Sequence, residues 1–169
     1  MDTERSFERL TEDDLAHLSE VAQDVVKSKV SRAPVAGRYV DRLIMLALCQ
    51  GAAQHYVDGR NGVKDLDVWA FFRSGLKKPF PYRAHWRADF GPSHLGRHPD
   101  DRGYNGRRVD ILGRSILAER KTDDEGAICA WLHSGSKSAK YLVKRPVIGL
   151  FPKKYFGKLV WSPSGCNQA

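Results

Sequence analysis

Apolar residues recur at three- and four-residue intervals through Leu15, Leu18, Val21, Ala22, Val25 and Val26, the spacing of one helix face. Thr11 precedes them as an N-cap, with acids at Glu12, Asp13 and Asp14 in the first turn, so the pattern predicts a capped amphipathic helix packed as a cover on a sheet. Pro34 ends any continuation, and Ala36-Gly37 starts a short linker. The pattern then changes period. Leu43 to Leu48 is an unbroken apolar run that reads as a central strand buried on both faces. Periodicity alone does not exclude a helix there, and the strand reading leans on the Gly51 that follows. Ala52 to Val57 reads as a short helix closed by Asp58-Gly59, and Asn61-Gly62 turns the chain into a second strand.

That second strand carries the candidate chemistry. In Lys64-Asp65-Leu66-Asp67-Val68-Trp69 two carboxylates alternate with apolar residues, so Asp65 and Asp67 share one face while Leu66 and Val68 enter a core on the other. Trp69 to Phe72 continue it into deep core before Ser74-Gly75. Two like charges held side by side repel unless a cation sits between them. A divalent metal is one such cation, and Arg108-Val109-Asp110-Ile111 offers a third carboxylate between apolar neighbours, as on an adjacent strand. Three strand-borne carboxylates make an oxygen-rich site of the kind Mg²⁺ accepts together with substrate phosphates, suited to in-line displacement at phosphorus.

Gly51-Ala52, then Asp65-Leu66-Asp67-Val68, then Val109-Asp110-Ile111 resemble the three motifs of the nucleotidyltransferase superfamily, the fold shared by DNA polymerase β and its relatives. The wording Gly51-Ala52-Ala53, Gly59-Arg60 and Lys64-Asp65-Leu66-Asp67 is most similar to the small bacterial branch of abortive-infection and toxin–antitoxin nucleotidyltransferases. The match spans residues 43–117 of a single domain, 1–169, with an N-terminal helical segment (1–33) before it and a basic C-terminal part (118–169) after it. The resemblance implies an α/β (α+β) nucleotidyltransferase fold, a mixed β-sheet carrying the carboxylates with helices packed against it. It implies transfer of a nucleoside monophosphate from a nucleoside triphosphate, ATP among the candidates, to an acceptor hydroxyl on RNA or a protein, with Mg²⁺ or Mn²⁺. Asp65 and Asp67 would hold metal at the triphosphate, and Asp110 would complete the site beside the acceptor, as a candidate for deprotonating it. Gly51 and Ala52 would offer backbone amides to phosphate, and Lys64 or Arg60 would add positive charge or stand as solvated flanks.

One departure bears on activity. The family places Ser or Thr where Ala52 stands, and that hydroxyl would contact phosphate; a helix start still binds an anion without it. Two other classes therefore stay open: a catalytically silent relative acting as a binding or regulatory module, and an antitoxin-like protein that modifies or occludes a partner protein. The missing hydroxyl favours the silent module, and the intact carboxylates disfavour it.

Between Leu76 and Arg108 the prolines Pro79, Pro81, Pro92 and Pro99 mark loops, with Arg97 to Gly103 a polar excursion. Ala88-Asp89-Phe90 is a candidate short strand, and Tyr104-Asn105-Gly106-Arg107 carries a two-residue hairpin signal. His94 and His98 have metal-ligand spacing for a helix, but Gly96 and Pro99 oppose one, so they read as solvated loop residues. Ser115 to Arg120 reads as a strand end or short helix, Asp123 to Gly126 as an acidic turn, Ala127–Leu132 and Ala139–Val143 as helices, and Val147–Leu150 and Leu159–Trp161 as closing strands.

Composition narrows the class. With 41% hydrophobic and 28% charged residues, no apolar run of membrane-spanning length and a charged start from Met1 to Leu10, the chain reads as a soluble cytoplasmic protein. Cys49, Cys129 and Cys166 are scattered, which suggests a reducing compartment and neither a disulfide framework nor a zinc site. A net charge of +8 steers acidic ligands such as nucleotides or nucleic acid to the surface. Lys137, Lys140, Lys144, Arg145, Lys153, Lys154 and Lys158 crowd the C-terminal third. Interleaved there are Trp131, Tyr141, Phe151, Tyr155, Phe156 and Trp161, which read either as stacking platforms in a cationic groove or as core and edge residues.

Overall fold

The structure, a computed structural model, describes residues 4–118 and 122–166. Helix α1 spans Glu12–Ser28 and begins with the expected cap: the Thr11 side chain accepts from Asp14 N at 3.2 Å, and the Asp14 side chain accepts from Thr11 N at 2.8 Å. The linker after it is wound into two 3₁₀ segments, Val30–Arg32 and Ala36–Arg42, that deliver the chain to strand β1, Leu43–Cys49. Helix α2, Gln50–Asp58, follows directly and stops at Gly59, whose φ of 71° is the left-handed C-cap. Strand β2 is Leu66–Arg73, β3 His85–Asp89 and β4 Arg108–Ile116. Helices α3, Asp124–Leu132, and α4, Lys137–Leu142, precede β5, Val147–Phe151, β6, Leu159–Ser162, and the short β7, Gly165–Cys166.

The strands form one mixed sheet in the order β3-β4-β2-β1-β5-β6-β7, so the chain is α+β; β2 and β4 run parallel and the other pairings are antiparallel. Helices cover both faces, which is why β1 and the interior of β2 read as continuous apolar runs. On one face Leu46, Leu48, Leu66, Val68 and Ile111 pack with Leu15, Leu18 and Val25 of α1. On the other, Met45, Ala47, Trp69 and Phe71 pack with Ile128 and Leu132 of α3 and Leu142 of α4. Asp67 and Asp110 belong to this second face, near the start of β2 and β4.

Several expectations change. The strand before β4 ends at Asp89 and pairs with it antiparallel across residues 90–107, so Asn105-Gly106 closes a long loop and not a two-residue hairpin; Asp89 accepts from the backbone of Gly91, Asn105 and Gly106 to fasten the loop's two ends. The acidic turn is a helix start, with Asp123 Oδ1 accepting from Gly126 N at 2.7 Å. Strand β4 reaches Ile116, while Glu119 and Arg120 lie outside the described residues. Of the loop histidines, His98 is not solvated but buried at 5% exposure, whereas His94 is exposed, with its Nε2 2.9 Å from Asp14 of α1. Cys129 and Cys166, 37 residues apart, are joined by a disulfide because α3 and β7 bring their Cα atoms to 6.1 Å; Cys49 stays free and buried. No described helix is long and apolar enough to cross a membrane.

Candidate functional site

Residues paired across neighbouring strands point to the same face, and the register sets Asp67 of β2 between Asp110 of β4 and Cys49 of β1. Asp65, just before β2, and Arg108, opening β4, lie two residues back on that face. The carboxylates therefore converge, as their alternation predicts. The cation between them, however, is a side chain: Arg108 donates from Nε to Asp110 Oδ2 at 2.8 Å, from Nη2 to Asp65 Oδ2 at 3.1 Å and from Nη1 to Asp101 Oδ1 at 3.1 Å. On the far side, His85 Nε2 lies 2.8 Å from Asp110 Oδ1 and Arg87 Nε donates to it at 3.3 Å.

Neutralisation is uneven. Burial alone would raise the Asp110 carboxyl, but hydrogen bonds from Arg108 and His85 outweigh it and hold the group below the usual carboxylate range. Asp67 accepts no hydrogen bond among the described residues, and its carboxyl is pushed up to about 7 by burial, then by the charges of Asp65 and Asp110, against partial relief from Arg108 and Arg145. A half-buried carboxylate without a partner, flanked by two others, fits a divalent cation. Asp65, Asp67 and Asp110 are the residues that would hold Mg²⁺ or Mn²⁺, with the Arg108 contacts to Asp65 and Asp110 giving way.

On the β1 side lies the start of α2. Gln50 takes the left-handed conformation, φ 61°, at the junction of β1 and α2, a strained position for a side-chain-bearing residue. The α2 N-cap is Cys49, whose side chain caps nothing, so the first N–H groups of that helix have no side-chain acceptor. Gly51 lies close under two side chains: a Cβ there would stand 2.7 Å from Asn61 Nδ2 and 3.1 Å from Arg145 Nη1. Asn61 donates to the Gly51 carbonyl at 3.1 Å, which folds the loop after α2 back along the helix and fixes the turn beside Arg145.

The other expected phosphate contacts are placed differently. Ala52 is 3% exposed and packs in the α1-side core, so only its backbone is available to a ligand. Ala52→Ser should therefore not tighten nucleotide binding. It should instead cost about 1 kcal/mol or more of stability by burying a hydroxyl among apolar side chains, read as a lower midpoint in urea. Arg60 and Lys64 are exposed, Arg60 beyond the C-terminal end of α2 and Lys64 next to Asp65. Sequence reasoning missed Arg108, Asp101, His85, Arg87 and Asn61, and counted Arg145 only as part of the basic C-terminal third. Arg108 had a readable signal, being two residues from Asp110 on the same strand face. Comparison with protein-family models, with curated proteins and with solved structures gives no match to this chain.

Proposed function

We propose that the protein is a metal-dependent nucleotidyltransferase of the nucleotidyltransferase superfamily, moving a nucleoside monophosphate from a nucleoside triphosphate to an acceptor hydroxyl. The observation that carries this reading is the placement of Asp65, Asp67 and Asp110 on one sheet face, beside a helix start that Gly51 and Arg145 flank. Bound Mg²⁺ would supply Lewis-acid stabilisation of the attacking and leaving oxygens. The chain's own part is positional. The α2 amides and Arg145 hold phosphate on the β1 side, while Asp110, oriented by His85 and Arg108, faces the acceptor side and is the group placed to take the hydroxyl proton. Release of Arg108 from Asp65 and Asp110 would free a guanidinium for the charge of the transferring phosphoryl group. Such an activity belongs where nucleoside triphosphates and RNA are found, the cytoplasm, although the Cys129–Cys166 disulfide is the pairing of an oxidising compartment.

Metal and nucleotide binding at this site has a defined pH signature. Below pH 7 Asp67 must give up its proton before it can ligate a cation, so Mg²⁺ affinity should rise with pH up to about 7 and level off above it, by at most about tenfold per unit. Calorimetric titration with Mg²⁺ and a non-hydrolysable nucleotide at pH 6 and pH 8 measures this. Proton release at pH 6 that disappears at pH 8 and in Asp67→Asn is the expected result; a pH-independent response unchanged in Asp67→Asn would defeat the assignment.

A second reading has its own observation. Arg108 already neutralises Asp65 and Asp110, and Ala52 offers no hydroxyl, as in a module that binds nucleotide without transferring it. An antitoxin-like action on a partner protein is a further variant, marked by transfer to protein.

A further inference from the structure

The sheet face that carries Asp67 and Asp110 continues to Trp69 of β2 and Leu112 of β4, two residues along, and to Arg114 of β4, four residues along. There it floors a cleft of about 440 Å³, walled by Tyr82 and Arg83 before β3 and by Lys137 and Tyr141 of α4. His85 belongs both to this wall and to the carboxylate site, lying 2.8 Å from Asp110 Oδ1. Two residues of strand are about 7 Å, so a group seated in the cleft ends within reach of Asp110.

The chemistry of the wall is one-sided. Arg83, Arg114 and Lys137 are cations, no carboxylate lines the cleft, and none of the three is ion-paired among the described residues. Arg114 donates to Ser138 Oγ, and its buried Nε has no partner. Tyr82 and Tyr141 are 68% and 60% exposed, so two large rings stand in water at the rim of the same cleft. The guanidinium carbons of Arg83 and Arg114 lie 5.3 and 5.9 Å from the Tyr82 ring centroid. Unpaired cations beside exposed aromatic faces suit a ligand that alternates phosphates with flat bases. The cleft's size is that of a site for one such unit.

We propose that this cleft is the acceptor subsite, taking the terminal nucleotides of a single-stranded nucleic acid and presenting their end hydroxyl at Asp110; the name acceptor rests on the transfer reading above. The cations that serve it are Arg83, Arg114 and Lys137. Lys153, by contrast, lies on the α1 face, and Lys154 sits 3.7 Å from Asp124. The C-terminal aromatics are mostly spent on packing, Tyr155 and Trp161 in the core and Trp131 against Phe71.

The test uses the full chain and fluorescent single-stranded RNA and DNA oligonucleotides with free 3′ ends, followed by anisotropy across a salt series. The Tyr82→Ala/Tyr141→Ala double variant should lose roughly tenfold or more in affinity for the preferred strand. Arg83→Gln/Lys137→Gln should flatten the salt slope by about 1.4 units, the value for two phosphate contacts on a single strand. Both rings are exposed, so the melting temperature and the Mg²⁺ response should stay those of wild type. RNA favoured over DNA, or the reverse, names the acceptor. Unchanged affinity and salt slope in these variants, a duplex that binds as well as the single strand, or an acidic peptide that displaces it at lower concentration each overturn the proposal. The two readings fail separately: unchanged oligonucleotide binding with a normal Mg²⁺ response defeats the cleft alone. A Mg²⁺ response independent of Asp67, with the cleft phenotype intact, defeats the transfer reading and with it the name acceptor.

Discussion

Asp67→Asn should stabilise the metal-free protein above pH 7. The folded chain holds the Asp67 proton up to about pH 7, whereas an unfolded aspartate releases it near 3.8. Between those values the folded state binds the extra proton, so stability falls as pH rises through the window, and above it the fold carries an uncompensated, half-buried charge. Three units of displacement set a ceiling of about 4 kcal/mol; partial exposure brings the expected gain from asparagine to about 2 kcal/mol at pH 8. At pH 4, where the carboxyl is protonated in the fold, the substitution should change stability little. Urea denaturation at the two pH values reads this directly, and equal effects at both would show that Asp67 is not the strained group.

Asp110→Ala should do the opposite. Its neighbour in register differs in having partners: removing the Asp110 carboxylate leaves Arg108, His85 and Arg87 without the acceptor they share, and Asp110 itself is only 6% exposed. Breaking such a cluster from one side costs about 3 kcal/mol, at the low end because Arg108, His85 and Arg87 are partly solvated. Its contribution runs the other way with pH, present above the ordinary carboxylate range and lost as acid protonates the group. Two aspartates paired across β2 and β4 should thus give stability changes of opposite sign at pH 8, and a loss of similar size from both would refute the charge distribution described here.

Local signals carried well from sequence to structure, and long-range ones did not. The Thr11–Asp14 capping box, the β1 run and the Gly59 stop are written within a few residues, so α1, β1 and α2 fall where pattern places them. The alternation of Asp65, Asp67 and Asp110 predicted a shared face because strand period is local, and the parallel register of β2 and β4 brings the three together. What pattern could not show was the neighbour: Arg108 donates to Asp65 and Asp110, a side-chain cation that answers part of the same repulsion. Strand β3 was half hidden by the prolines around it, and with it His85 and Arg87. The Cys129–Cys166 pair and the burial of His98 depend on which elements pack together, which spacing does not encode. The basic C-terminal third was legible as charge, yet the sheet sends its lysines to different faces, leaving Lys137 and Tyr141 in the cleft that His85 borders, with Arg83 and Arg114 from earlier in the chain.

The most direct test of nucleotidyl transfer is to incubate the purified protein with each nucleoside triphosphate labelled at the α-phosphorus, Mg²⁺ and total RNA. Label on RNA with release of pyrophosphate, lost in Asp67→Asn and on chelation of the metal, is the predicted result. Intact Mg²⁺ and nucleotide binding with no label transferred to RNA or to protein would contradict the account and leave a silent binding module in its place.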